Sequence, residues 1–450
     1  MSDEFAVVIL GAGPAGLFAA DRLAGRADGV VVIDAGPEPA ARTAGVQGVG
    51  GAGLFSDGKL NLSTLIGGDP ASFGRSHADV QPIIDGLDAR FTELGVPPEY
   101  SGVQSDPIRR LRAQAHRHGV EFLAGKQRHI GTDHVPDVVT ALYDSLRSRG
   151  IRFRLNSTVE GIARLDSATG FVLKLAGGST VRGRYLIASP GRAGAYWLRQ
   201  QAQVLGAVMR HGPIDIGARV EFPDSVYTPI REVMYDAKFR LHTETYDDLV
   251  RTFCTNPSGF VTVERYDGFV LVNGHASKSQ LTTNTNLALL ARMALTDPIE
   301  DSSRYGRMIA ELTTTLGGGR PLVQRLKDLR AGRRSTWPRI ARSAVEPTLR
   351  DATPGDLGMA LPNRVVKDLL EALARLDGII EGINADGTLL YAPEIKFYET
   401  LYEVTPEMET TVPGFFVAGD ASGHSRGIIF AALNGILAAD AIRRREGYDN

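Results

Sequence analysis

The stretch AVVILGAGPAGLFAADRLAGRADGVVVID, residues 6–34, can be read almost residue by residue. Ala6 to Leu10 is a short apolar run, β-branched at Val7, Val8 and Ile9 and closed by glycine, which suits a strand buried on both faces. Gly11, Gly13 and Gly16 then fill the pattern G-x-G-x-x-G. The first permits a tight turn, the second lets backbone approach a pyrophosphate, and the third lets the following helix lie close on the strand. That helix is expected to start near Pro14 and Ala15, so that its unpaired amides and positive dipole end face a diphosphate. A second apolar run, Val30 to Ile33, ends at Asp34 and Ala35. Asp34 lies about 20 residues past the glycines, where a carboxylate can accept hydrogen bonds from ribose hydroxyls. Strand, glycines, helix, strand and acid thus occur in the order that an adenine dinucleotide requires. Both NAD and FAD satisfy this motif.

The rest of the composition narrows the partner. With 450 residues the chain is long enough for two or three domains. A net charge of -2 gives no global attraction to nucleic acid or to an anionic membrane, so a small molecule is the expected partner. The single cysteine, Cys254, rules out an intramolecular disulfide and a CxxC redox pair, and reads as a packed small side chain. The N-terminus, MSDEF, is acidic and leads straight into a strand, unlike a signal peptide, which points to a cytoplasmic location. Gly427 to Ile442 is apolar but short for a membrane span and interrupted by Asn434 and Asp440, so it reads as a buried helix. His116 and His118 have no companion carboxylates or cysteines nearby and read as a solvated helix end; no metal site is expected.

Along the chain, the segment after Asp34 carries glycines at 36, 45, 48, 50, 51, 53 and 58. Glycine at that density lets backbone pass close to a flat or charged ligand, with Gly50 and Gly51 at the approach and Ser56 and Lys59 as polar handles. Residues 70 to 130 are polar and look helical. Val135 to Arg147 is an amphipathic helix, followed by short strands, with Val159 among them; Tyr185 to Ser189 stops at Ser189-Pro190-Gly191, a second strand-to-turn site for a cofactor. Residues 211 to 280 change to short strands separated by Gly, Pro, Asn and Asp, the grammar of an antiparallel sheet. Helical patterns are read from Asn286 to Leu316, then GGGRP at 317–321. The basic run 325–342 reads as a solvated face. The segment 412–442 returns to the parallel-strand grammar. The expected fold is α/β, a Rossmann-type dinucleotide-binding domain with an inserted, largely antiparallel β (α+β) substrate domain. Its parts are the cofactor domain at 1–66, 131–210 and 401–450, a mostly helical insertion at 67–130, and a substrate or cap domain at 211–400.

Several blocks carry a resemblance: GAGPAG at 11–16, GGAGLFSDGKLNLS at 50–63, RTFCTNPSGFVTVE at 251–264, VNGHAS at 272–277, NTNLALL at 284–290, PEIKFYE at 393–399 and FFVAGDASGHSRGI at 415–428. The chain resembles the uncharacterised FAD-dependent dehydrogenases of bacteria, relatives of the glutathione-reductase-type flavoproteins. The resemblance implies FAD as the resident cofactor. It implies that Gly419 and Asp420 reach its ribityl or pyrophosphate portion, and that the helix beginning near Arg426, Gly427 and Ile428 points its N-terminus at the flavin pyrimidine edge. Positive dipole there favours the reduced anion and assists hydride acceptance.

The implied activity is a dehydrogenase that moves a hydride between a small organic substrate and flavin N5. Lys59, Lys396, Tyr398 and His275 are the candidate catalytic groups: a lysine stabilises developing negative charge, Tyr398 shuttles a proton, and His275 is a possible base. Against this, the lysines and Tyr398 could serve only to hold the cofactor or to pair with Glu394 and Glu399, and His275 could be a satisfied histidine at a strand end. The alternative activity is a flavin reductase or monooxygenase-type enzyme reduced by NAD(P)H or by a separate electron carrier. A non-catalytic or RNA-associated flavoprotein ranks below both, because the chain has neither a broad basic surface nor a cysteine pair.

Overall fold

The computed structural model describes residues 3–25, 29–42, 47–55, 58–103, 105–131, 133–165, 170–266, 268–276, 280–294, 301–397 and 400–448. Ser56 and Tyr398 therefore lie outside the described residues. The chain divides into two compact units, each assembled from separate stretches. Met1–Tyr100, Gly125–Arg210 and Thr400–Asn450 form the first; Ser101–Ala124 and His211–Glu399 form the second.

In the first unit, the strand Asp3–Leu10 runs parallel to Val30–Ile33 on one side and to Thr180–Ala188 on the other, with Ile9 level with Val32 and Ile187. Its apolar run is continuous because both faces are covered. Val7 and Ile9 enter one apolar cluster with Leu17, Phe18 and Leu433, while Val8 and Leu10 enter another with Leu186 and Phe415. Arg152–Arg154 adds a parallel strand beyond Val30–Ile33, and Phe415–Val417 pairs in parallel with Thr180–Ala188. The last segment of the chain thus completes the sheet that the first begins. Val159–Arg164 and Phe171–Leu175 join as an antiparallel meander.

Two helices lie on this sheet, Pro14–Leu23 and Ile428–Glu446. They approach closely enough that a β-carbon on Gly435 would sit 2.0 Å from the carbonyl oxygen of Ala15. The C-terminal helix is apolar nearly all round, as a helix buried on every side must be. Among the described residues no helix is long and apolar enough to cross a membrane.

The second unit is built on an eight-stranded sheet whose centre is Ile214–Pro223, antiparallel to both Asn284–Met293 and Leu389–Lys396. Along the central strand the even residues Ile214, Ile216, Ala218, Val220 and Phe222 join the apolar core with Tyr227, Leu369 and Leu373. The odd residues Asp215, Arg219 and Glu221 project to the opposite face, yet they too are wholly buried. Period-two alternation here separates an apolar layer from a charged layer rather than core from solvent.

One expectation is overturned. Asn284–Met293, NTNLALLARM, is a strand and not the start of a helix; the helix begins only at Ser302 and ends at Leu316. Leu and Ala favour helix in isolation, but ten residues paired on both edges and buried almost throughout gain more from the sheet. The basic run also differs in part from a solvated face. Arg325 is buried and, together with Arg333 and Ser335, binds the fully buried Asp328.

Candidate functional site

The three glycines of the first turn are required for three different reasons. Gly11 has φ +100°, and a β-carbon there would meet the carbonyl oxygen of Ser189 at 2.2 Å. A β-carbon on Gly16 would meet the carbonyl oxygen of Gly11 at 1.9 Å, which allows the helix to sit on the strand. Gly13 is different. Its φ of -77° suits any residue, and a β-carbon on it would come no nearer to the protein than 4.0 Å, from Gly51 Cα. Among the described residues no atom fills that space, so the turn leaves an open cradle at the N-terminus of a ten-residue helix with Pro14 in its first turn.

The glycine-rich segment folds back onto this cradle. The Gly50 amide donates to the Ala12 carbonyl at 2.8 Å, and a β-carbon on Gly51 would sit 2.9 Å from Gly13 Cα. A β-carbon on Gly53 would lie 3.1 Å from Pro14 Cγ and 3.5 Å from Ile428 Cγ1. The first residues of both long helices therefore converge on one glycine-lined spot, which suits a diphosphate bound by backbone amides and helix dipoles.

Asp34 is the hub of the adjoining end. Its carboxylate accepts from the amides of Ala12, Gly36 and Gly48, each at 2.8 Å. Arg42 closes the same loop, donating to the carbonyls of Val49 at 2.9 Å and Gly51 at 3.1 Å and lying 3.6 Å over the Phe55 ring. Burial pulls its guanidinium below the ordinary value, and the Asp34 charge opposes that shift. Ala35 follows in the turn, and Val159, buried, opens its strand close to Asn156 and Ser157, whose amides donate to the carbonyls of Gly36 and Asp34. Ser189 directs its hydroxyl to the carbonyls of Leu10 at 3.0 Å and Gly11 at 3.3 Å, holding the turn from behind. Gly191, at φ +66°, stands in open space beyond it.

From the other end of the unit, Gly419 at φ +71° places Asp420 after the strand Phe415–Val417. Asp420 accepts from the Ser425 hydroxyl at 2.8 Å and lies 3.5 Å from Arg192 Nε. The Arg426 amide donates to the Gly67 carbonyl at 2.6 Å, and Gly427, with open space around it, caps the helix that begins at Ile428. Beside them His424 is buried, with Nε2 2.9 Å from the Tyr402 carbonyl and Nδ1 2.9 Å from Ser72 Oγ. Burial drives its pKa down to about 4, so the ring is neutral. Lys59 stands on the short strand Lys59–Asn61, level with His129 and half-buried.

The second unit carries the other cluster. Arg219, wholly buried, forks onto Glu394, also wholly buried, at 2.8 and 2.7 Å, and donates to the Cys254 carbonyl at 2.8 Å. Lys396 lies 3.1 Å from the same Glu394 carboxylate, the pairing weighed against catalysis in the sequence. Asp215 takes Arg251 at 2.7 Å and Arg292 at 3.2 Å. Glu221 accepts from the Tyr391 hydroxyl at 2.6 Å, and burial raises its pKa. The hairpin Phe260–Arg265/Val270–His275 crosses this face: a β-carbon on Gly274 would lie 2.5 Å from Arg219 Nη1. His275, at the hairpin's end, is exposed. Cys254 is half-buried at φ +47°, where the register of its strand shifts. Among the described residues no group of His, Cys, Asp and Glu is placed to hold a metal.

Arg42, Asp215, Arg219, Arg251 and Arg292 were not singled out in the sequence. The signal for two of them was present in IDIGARVEFP, where charges occupy alternate positions of an otherwise apolar strand.

Residues 213–396, most of the second unit, match the family model described as FAD-dependent protein, C-terminal domain-like. A protein of Clostridium beijerinckii, itself uncharacterised, is 25% identical over 473 aligned positions, covering 97% of this chain and 80% of its own length. Among solved structures, glycine oxidase from Geobacillus kaustophilus aligns with a TM-score of 0.41 at 15% identity, over 98% of this chain and 95% of its own. A 3-ketosteroid-Δ4-(5α)-dehydrogenase from Rhodococcus jostii aligns with a TM-score of 0.44 at 13% identity, over 98% and 97%. Likeness at those scores lends this chain no reaction. The match over residues 213–396 is to a domain of FAD-dependent proteins, and the cofactor it implies is FAD.

Proposed function

We propose that this FAD-dependent oxidoreductase is a dehydrogenase, moving a hydride between a small organic substrate and its flavin. FAD supplies the redox chemistry at N5 of its ring. The chain's own residues bind and orient. Gly11, Gly13, Gly16, Gly50 and Gly51 with the first turn of Pro14–Leu23 take the diphosphate, Asp34 the ribose, and Asp420 with Gly427 and Ile428 the other half of the cofactor. Lys59 and Lys396 are the proposed polar groups for developing negative charge, and Tyr398 the proposed proton carrier.

The observation that favours a substrate-reduced dehydrogenase concerns the second glycine run. Among the described residues, Gly317–Gly319 does not open a helix after a strand. It follows the helix Ser302–Leu316 and leads into the strand Leu322–Arg325. A second dinucleotide turn for NAD(P)H is not formed there.

The test is an anaerobic absorbance titration of the purified yellow protein with NADH, NADPH and then a panel of small acids, alcohols and amines. Bleaching by an organic substrate and not by nicotinamides supports a dehydrogenase. Rapid bleaching by NAD(P)H alone replaces it with a reductase or monooxygenase. Colourless protein that takes up no FAD overturns both.

A further inference from the structure

The charged face of the second unit is not balanced around Lys396. The buried trio of Arg219, Lys396 and Glu394 holds two cations and one carboxylate, and the Arg219 fork already engages both oxygens of that carboxylate. Lys396 is only 11% exposed. An ammonium has three N–H donors, and one carboxylate that is already bound satisfies few of them. A surplus cation held almost out of water is costly unless an anion offsets it.

The surroundings select the kind of anion. Lys396 Nζ lies 5.7 Å from the ring centroid of Phe253, a half-buried side chain. Lys238 Nζ lies 5.3 Å from the same ring and is held by both oxygens of Asp236 at 2.7 Å, a balanced pair. Arg251, paired with Asp215, lies 4.9 Å from it. An apolar wall is thus bordered by cations on three strands of one sheet face. A cationic amine is repelled there, and a neutral alcohol leaves the surplus uncancelled. Arg292, the second cation on Asp215, is 40% exposed and screened by water, so the surplus beside Glu394 is a single charge, which matches a monoanion better than a phosphate monoester carrying about -1.5 to -2 at neutral pH.

We propose that the substrate is a carboxylate, with the Lys396 ammonium as its counter-ion and the half-buried Phe253 ring as the wall for its apolar part. The inference rests on the dehydrogenase reading for the word substrate, but the binding it asserts does not.

The test is isothermal calorimetry on the intact flavoprotein with phenylacetate, phenylacetamide and phenyl phosphate, without turnover. Phenylacetate is expected to bind at least tenfold more tightly than phenylacetamide. Lys396→Met should erase that preference and Lys396→Arg should keep most of it, with flavin content and melting temperature checking that each variant is folded. Should Lys396→Met not fold, Lys396→Gln serves in its place. The proposal is overturned if phenylacetate does not bind, if it binds no better than its amide, if phenyl phosphate binds better still, or if the preference survives loss of the ammonium. Binding of phenylacetate in a protein whose flavin no acid reduces would sink the dehydrogenase reading alone. Flavin reduction by a neutral substrate without carboxylate binding would sink this inference alone.

Discussion

A β-carbon on residue 16 would stand 1.9 Å from the carbonyl oxygen of Gly11, whereas one on residue 13 would meet nothing among the described residues closer than 4.0 Å. The same motif therefore contains one glycine required by the fold and another that leaves room for a ligand. Gly16→Ala is expected to lower stability by roughly 1–3 kcal/mol through overpacking and to abolish flavin retention. Gly13→Ala should leave the stability of the flavin-free protein within about 0.5 kcal/mol and still weaken FAD binding at least tenfold. Urea unfolding of the flavin-free protein and fluorescence titration with FAD check both. Equal FAD affinity in Gly13→Ala and the parent would show that the cradle is not the diphosphate site.

This contrast also shows what a sequence can disclose. The glycine turn was legible because each role is a local backbone requirement fixed by spacing. The pairing of Lys396 with Glu394 was visible as an alternative because residues two apart on a strand share a face. The Arg219–Glu394 pair was not, since its partners are 175 residues apart and meet only when two strands align. Asn284–Met293 was misread because its local preference is helical and its fate is decided by the strands on either side.

Asp34 collects the amides of Ala12, Gly36 and Gly48, so it holds the glycine turn and the following loop in one arrangement. Asp34→Ala removes the acceptor for all three. Hydrogen bonds to a charged group contribute about 1.5–3 kcal/mol each, and water replaces part of that at a half-buried site. The expected loss is about 2–4 kcal/mol in stability, again from the net worth of such bonds, together with loss of bound FAD. Thermal melts with and without added FAD read it. A variant that melts like the parent and retains its flavin would contradict the role.

Two buried groups give the units opposite responses to acid. Burial lowers His424, in the first unit, from 6.5 to about 4. The unfolded chain then binds the extra proton between those values, so the first unit is fully stabilised above pH 6.5 and loses stability as pH falls toward 4, by roughly 3 kcal/mol. In the second unit burial, opposed by a hydrogen bond from Thr243 and reinforced by Asp248, raises Asp368 to about 6. Its contribution is present below the ordinary carboxylate value and is lost as pH rises through 6. Trp197 lies in the first unit and Trp337 in the second, so single-tryptophan variants report each separately. Between pH 6.5 and 4 the Trp197 signal should show falling stability, and His424→Gln should flatten that slope. A slope that His424→Gln leaves unchanged would assign it to other groups.

The Arg219 guanidinium and the Glu394 carboxylate meet with neither exposed to solvent, and the guanidinium also serves the Cys254 carbonyl, Asn286 at 3.2 Å and Asn273 at 3.1 Å. Removing one partner of such a pair leaves a buried charge, which costs about 3–5 kcal/mol. Lys396 remains beside Glu394 and offsets part of this, which puts Arg219→Met near the lower end, about 3 kcal/mol, of that range. Arg219→Lys keeps the charge but not the planar fork, so it should recover only part of the loss. Urea unfolding followed through Trp337 in the second unit distinguishes the two. If Arg219→Lys is as stable as the parent, charge alone accounts for the pair and the forked geometry contributes nothing; if it falls between the parent and Arg219→Met, the geometry that aligns these two strands is itself stabilising.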